Sequence, residues 1–344
     1  MELVTHALLG AAVGLATRTI TTLPQRDCVG LASTGAVFPD VDFLGFLISP
    51  LRFLSDWHQA ATHSLLLIPI WALLAAGLYA WRRAAWGRFG AAALLFSAGV
   101  ASHIGLDALT AYGTMLLYPA TDQRFSLGLL YVVDPFFTMA VILGLLALQR
   151  WPHAPALLTA CSLLGGYLAV AAYAQSRALE IARSTSPKDL GRFDVFPQPF
   201  SPFNWKLIAT NGIDHLVAHV NLLGHPQPIP SFAKPLVKTA EAFRAPGTLD
   251  WRSHSLRLPP STPQALVAER LWLDPRFEPF RRFATHPAVE TPTGATECIW
   301  FTDLRYDLPG LPATFRYGFC PRGNDGDWQL HRLRYFTTDQ RSDL

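Results

Sequence analysis

Apolar residues gather into long unbroken runs in the first half of the chain and into short alternating ones in the second. Leu65 to Trp81 carries no charge and, with its flanks, reaches the ~20 residues needed for a helix to cross a bilayer. Gly90 to Leu106, Pro135 to Leu148 and Ala154 to Ala174 supply three further candidate spans. Ala7 to Thr17 and Cys28 to Phe38 are each about half a crossing, which predicts short or re-entrant helices sheltered by the others. After Gln175, proline, charge and aromatic residues rise. Thr296 to Phe301 and Thr314 to Phe319 then alternate as strands do, across a Pro309-Gly310-Leu311-Pro312 turn. Asp327 to Phe336, after the Asp325-Gly326 turn signal, predicts a last strand or pair of strands. The expected fold class is mostly α: a polytopic membrane helical bundle over residues 1–175, followed by a smaller α+β extramembrane domain over 176–344.

Composition supports lipid as a solvent. Only 15% of the residues are charged, against about a quarter in soluble domains. The net charge of +3 is not gathered into a basic block, so nucleic acid is not expected as a partner. The four cysteines show no CxxC spacing, which leaves His and carboxylate as the ligands for any metal. Cys298 and Cys320 flank the predicted turn evenly, and a hairpin would set them opposite each other. A disulfide there suits a domain outside the cytoplasm, and two buried free thiols fit the pattern equally well. The chain starts on Met1-Glu2, an acid where a secretory signal has basic residues, so the N-terminal apolar run is expected to be retained.

The informative residues are polar ones in apolar company: His6, Asp40, Asp42, His58, His63, His103, Asp107 and Asp134. Ionisable groups at membrane depth are costly and mark function by default. His103 and Asp107 stand at i, i+4, where imidazole and carboxylate share a helical face and can ligate one cation or adjacent ones. Asp40 and Asp42 follow Pro39, where a helix is expected to stop and let both carboxylates turn to one centre. His58 and His63, five apart, fit one helical face poorly, which places one in a loop and the other in the first turn of the next helix. Each motif alone has an ordinary reading: a core histidine, a turn, or a helix cap for Asp107 and Asp134.

Topology brings them to one side. His6 starts the first short helix, Asp40 and Asp42 end the second, His63 starts the third, His103 and Asp107 end the fourth and Asp134 starts the fifth. The opposite ends carry Arg18, Arg26, Arg82, Arg83, Arg88 and Arg150, the side assigned to the cytoplasm. The polar cluster and the C-terminal domain are therefore expected on the outer, periplasmic face.

In that order, Thr5-His6, Pro39-Asp40-Val41-Asp42, His58-x4-His63-Ser64, His103-x3-Asp107, Asp134-Pro135 and Pro199 to Trp205 make the chain resemble the YdjM-like family of LexA-binding, inner-membrane-associated, metal-dependent hydrolases. The match covers residues 1 to 140 best. Glu2 and Gln59 depart from it, standing where the family often has Asp and Arg. That family is itself distantly similar to zinc-dependent phospholipase C and P1-type nucleases, which would imply phosphoester hydrolysis.

The resemblance implies a divalent metal, Zn²⁺ first and Mn²⁺ second because imidazole favours softer ions, on His6, Asp40, His63, His103 and Asp107. Asp42, His58 and Asp134 would add ligands or outer partners, one of them taking a proton from water. A membrane lipid or lipid-linked small molecule is the expected substrate. A receptor or scaffold with a structural metal, and an ion or proton pathway, are the rival readings. The pattern sets no oligomeric state. His215 and His219 read as surface residues, and Trp300, Trp328 and Tyr335 as strand packing.

Overall fold

The computed structural model describes residues 1–187, 191–224, 237–290, 298–322, 327–334, 337 and 340–344. The chain falls into two compact units. The first comprises Met1–Gly45, Trp57–Ala174 and Pro197–Pro202, and the second Phe46–Asp56, Gln175–Phe196 and Phe203–Leu344.

The first unit is helical. Helices α1 (Leu3–Ala16) and α2 (Gln25–Val37) are followed in the chain by a 3-10 stretch, Phe38–Leu47, a single turn α3 (Pro50–Arg52), a π turn, Phe53–Trp57, and a 3-10 turn, Ala61–His63; of these, Phe46–Asp56, with α3, is assigned to the second unit. Helices α4 (Ile68–Arg83), α5 (Phe89–Ala108), α6 (Pro135–Arg150) and α7 (His153–Thr185) complete the series, α7 belonging to the second unit from Gln175 onward. Two stretches, Trp86–Ala108 and His153–Thr185, are long and apolar enough to cross a membrane, and Pro50–His63 with Ile68–Arg83 makes a third if that pair, bent by 65°, is one span. Four such helices were expected. The sixteen residues of α4 and of α6 fall short of a crossing alone, because Pro69 and Pro135 hold the starts of these helices and Arg83 and Arg150 lie at their ends. Apolar side chains nonetheless point outward, among them Leu74 and Trp81 on α4, Met139 on α6 and Leu158 and Tyr173 on α7. A surface of that kind is stable against lipid and costly against water.

α2 ends at Val37 as the following proline demands, but the chain continues as 3-10 helix and not as an open segment. His63 closes a 3-10 turn five residues before α4, not the first turn of that helix.

The second unit contains two sheets. One has the order β1 (Arg192–Pro197), β2 (Asn204–Asn211), β3 (Asp214–Asn221), β4 (Arg252–Ser255). The other runs β5 (Pro287–Val289), β6 (Ile299–Asp303), β7 (Arg316–Arg322), β8 (Asp327–Leu333), β9 (Arg341–Asp343), antiparallel throughout. Short helix α8 (Val237–Glu241) lies between β3 and β4 in the chain, and α9 (Ala265–Trp272) and α10 (Glu278–Phe283) lie between β4 and β5. Phe277 anchors the core, its ring 4.9 Å from Phe280 and 5.2 Å from Phe301. The expected strands appear as β6, β7 and β8; residues 296–297, 325–326 and 335–336, with Tyr335, lie outside the described residues. His215 and His219 are on β3, and His215 is only 2% exposed, which corrects its reading as a surface group. Burial pulls the His215 imidazole down to about 4.

Register places Ile299 opposite Phe319, so Cys298 faces Cys320, and the two are joined as a disulfide. The bridge closes a loop of sequence separation 22, and the resulting loss of chain entropy in the unfolded state is worth about 3 kcal/mol. A Cys298→Ser, Cys320→Ser double substitution should therefore lower the unfolding free energy of this unit by that amount in a denaturant titration. An unchanged midpoint would show that the bridge contributes nothing.

Candidate metal centre

The centre is built by close helix approach. α1 lies on one side of α2 and α5 on another, and both contacts need missing side chains. A Cβ on Gly10 would stand 2.6 Å from Ala36 Cβ, and one on Gly14 2.6 Å from the Cys28 carbonyl. A Cβ on Gly99 would stand 2.9 Å from Ala36 N and press still harder on the Ala32 carbonyl, while one on Gly35 would meet the Phe96 carbonyl. Such small-residue contacts let backbones meet where lipid gives no hydrophobic drive. His6 lies four residues before Gly10, and His103 four after Gly99. Bringing the backbones together stacks these rings at 3.7 Å and 15°.

The Glu2 side chain caps α1 by accepting from Val4 N at 2.6 Å and Thr5 N at 3.0 Å, which starts the helix just ahead of His6. His103 Nδ1 donates to the Ala36 carbonyl at 2.6 Å. A carbonyl can only accept, so Nε2 is the lone-pair nitrogen, and it points inward. His63 Nδ1 lies 3.0 Å from the Thr62 hydroxyl and 3.4 Å from Asp42 Oδ2, which holds that ring with its Nε2 toward the same point.

Four ligand atoms then converge. Asp40, His63, His103 and Asp107 each offer one, all within 4.8 Å of one another. The Nε2 atoms of His63 and His103 are 3.0 Å apart, and Asp107 Oδ2 is 3.3 Å from the first and 3.2 Å from the second. Asp40 Oδ1 is 4.0 Å and 3.6 Å from the same two nitrogens. A cation held among these atoms would take the lone pairs of both imidazoles and be balanced by the two carboxylates. His6 Nε2 is 3.2 Å from Asp107 Oδ1, yet neither ring nitrogen of this fully buried histidine has a hydrogen-bond partner. These residues fit a divalent cation: two nitrogens and two oxygens in a compact set, with one more nitrogen in reserve on His6. The site is not sealed, because the Asp40 side chain keeps 15% exposure.

Asp42 and His58 stand just outside. Asp42 accepts from His58 Nδ1 at 3.1 Å and from Gln59 N at 3.0 Å. It is thus a carboxylate shared between two imidazoles, fixing His58 and His63 together. An Asp42→Asn protein, similar in shape but uncharged, is expected to hold metal 10–100-fold more weakly in a chelator competition, the usual effect of losing an outer carboxylate. Unaltered affinity would separate Asp42 from the centre.

Asp134 is not brought to the cluster. Its Oδ1 caps α6, accepting from Phe136 N at 3.0 Å and Phe137 N at 2.9 Å, and its Oδ2 accepts from the Tyr167 hydroxyl at 2.7 Å. The Asp-Pro start of a helix is the signal for that cap. Gln59 is the participant that residue type did not reveal. Its Nε2 donates to Asp107 Oδ2 at 2.8 Å and its Oε1 accepts from Thr114 at 3.0 Å. Its φ of 56° is left-handed, a conformation that survives because both ends of the residue are tied down. The Met1 nitrogen also donates to Asp107 Oδ1.

No curated protein and no solved structure matches the chain significantly. The sequence profile of the YdjM inner membrane protein family matches residues 1–178, a stretch that includes every residue of the centre. This is a membrane protein with a possible metal-binding cluster in its helical unit, and it belongs to the YdjM inner membrane protein family.

Proposed function

We propose that the protein is a metal-dependent hydrolase of the membrane, acting on a phosphoester carried by a lipid or lipid-linked molecule. The observation that carries the reading is the convergence of the His63 and His103 Nε2 atoms on Asp40 and Asp107, four ligand atoms all within 4.8 Å of one another. Zn²⁺ suits that mixed nitrogen and oxygen set, with Mn²⁺ the alternative. Such an ion, when bound, supplies Lewis acidity toward a phosphoryl oxygen and nucleophilic water at neutral pH. Asp40, the ligand with most exposure, faces the side from which substrate enters. His58, held at Nδ1 by Asp42, would take the proton of the attacking water at Nε2 and return it to the leaving oxygen. Gln59 holds Asp107 in place through its amide.

The multi-pass arrangement and an outward-facing centre belong to the same proposal. Arg82, Arg83 and Arg88, at the far end of α4 and α5 from His63 and His103, support it. The Cys298–Cys320 bridge supports an oxidising compartment for the second unit. A panel of phosphodiester substrates, including phospholipids and lipid-linked phosphates, tests the chemistry with and without chelator. Hydrolysis that chelator abolishes while helicity and membrane insertion persist is the expected result. A metal-loaded, folded protein inert toward the whole panel would leave the ion a structural staple.

A further inference from the structure

A second polar feature of the helical unit lies apart from the metal centre. The strap Pro197–Pro202 closes over the start of α6 and the side of α7, forming a small cleft lined by Tyr131, Asp134, Phe136, Tyr167, Gln198 and Phe200 among others. None of the four clustered ligands lines it. Gln198 is 3% exposed, and its Nε2 donates to the Pro197 carbonyl at 2.9 Å. That bond decides which amide atom is left over: Oε1 is buried with no hydrogen-bond partner. Asp134, 8% exposed, accepts only from two backbone amides and the Tyr167 hydroxyl, and no cationic side chain among the described residues pairs with it.

The cleft therefore presents an unmet acceptor and an unneutralised carboxylate, with four aromatic side chains in its wall. A neutral donor such as water would satisfy Gln198 alone. A cationic donor satisfies Gln198, compensates Asp134 and gains from the ring faces. The room inside is about that of one water-sized group, which admits –NH₃⁺ and is too small for a trimethylammonium. Val133 and Phe136, in the same wall, are 54% and 48% exposed, an apolar and aromatic rim of the kind that sits at the headgroup level of a bilayer.

We propose that this cleft binds a primary ammonium group, as carried by an aminophospholipid headgroup, between Gln198 Oε1 and the Asp134 carboxylate. The site stands whether or not the metal centre hydrolyses anything. The full-length protein in detergent is supplied with phosphatidylethanolamine, phosphatidylcholine or free ethanolamine, and retained ligand is read by native mass spectrometry alongside the thermal midpoint. Phosphatidylethanolamine should be retained about tenfold over phosphatidylcholine, the scale of one charge-assisted hydrogen bond. Asp134→Asn keeps the α6 cap but removes the charge, and Gln198→Leu removes the acceptor; each should bring phosphatidylethanolamine down to the phosphatidylcholine level. If Asp134→Asn does not fold, Gln198→Leu decides. Free ethanolamine retained as well as the lipid would make a soluble amine the source of the same group. Equal retention of the two lipids by the wild type, or full phosphatidylethanolamine retention by the folded variants, overturns the proposal and leaves a water on Gln198.

Discussion

His103→Ala is expected to weaken divalent metal binding by more than about 100-fold, so that the purified protein carries almost none. Loss of an outer partner alone costs 10–100-fold, and His103 offers a ligand atom directly. Its Nε2 is 3.0 Å from that of His63 and 3.2 Å from Asp107, so its removal leaves a three-atom remnant open on one side. His6 cannot simply step in, because its ring is stacked on the one removed and its Nε2 lies against the other oxygen of Asp107. Elemental analysis and chelator competition on wild type and variant, with helicity as the fold control, read the outcome. Equal metal content in both proteins would take His103 out of the centre and, with it, the shared-cation account of the cluster.

Gly99→Leu is expected to destabilise the helical unit by about 4 kcal/mol, above the usual 1–3 kcal/mol of overpacking, because the obstacle is backbone on both sides. The added carbon would collide with the Ala32 carbonyl and Ala36 N of α2, neither of which can move without the helix. Parting α2 from α5 would also break the 2.6 Å bond from His103 Nδ1 to the Ala36 carbonyl and unstack His6 from His103. Metal affinity should therefore fall together with the thermal midpoint in detergent. Gly105→Leu is the control, since nothing lies within 4 Å of a Cβ there. If both variants melt like the wild type, the close approach does not hold the unit together.

Most of the centre's chemistry was legible in the residues themselves. His and Asp on apolar segments marked eight candidates, because an ionisable group in lipid has few uses other than function, and four of them, Asp40, His63, His103 and Asp107, offer ligand atoms that meet. The i, i+4 pair His103 and Asp107 was readable outright, since one helix sets that geometry. Gln59 was not singled out as a participant, because an amide in a turn has no diagnostic pattern and its partners Asp107 and Thr114 lie 48 and 55 residues away. Asp134 looked like part of the same polar set. Its carboxylate is instead shared between the first amides of α6 and a tyrosine of α7, and only the cap was a local signal.

The sequence by itself determined which segments are apolar enough to seek lipid, where prolines start or stop helices, and which side chains bring ligand chemistry, because each depends on neighbours within one or two turns. Tertiary structure alone decided which of those side chains meet. It set Asp42 between His58 and His63, placed Asp134 in a cleft under Gln198, and put Cys298 opposite Cys320. The physical reason is that convergence depends on distances between helices and on strand register. In the helical unit those distances are set by backbone contact at Gly10, Gly35 and Gly99, a fit of surfaces that no periodicity along one segment encodes.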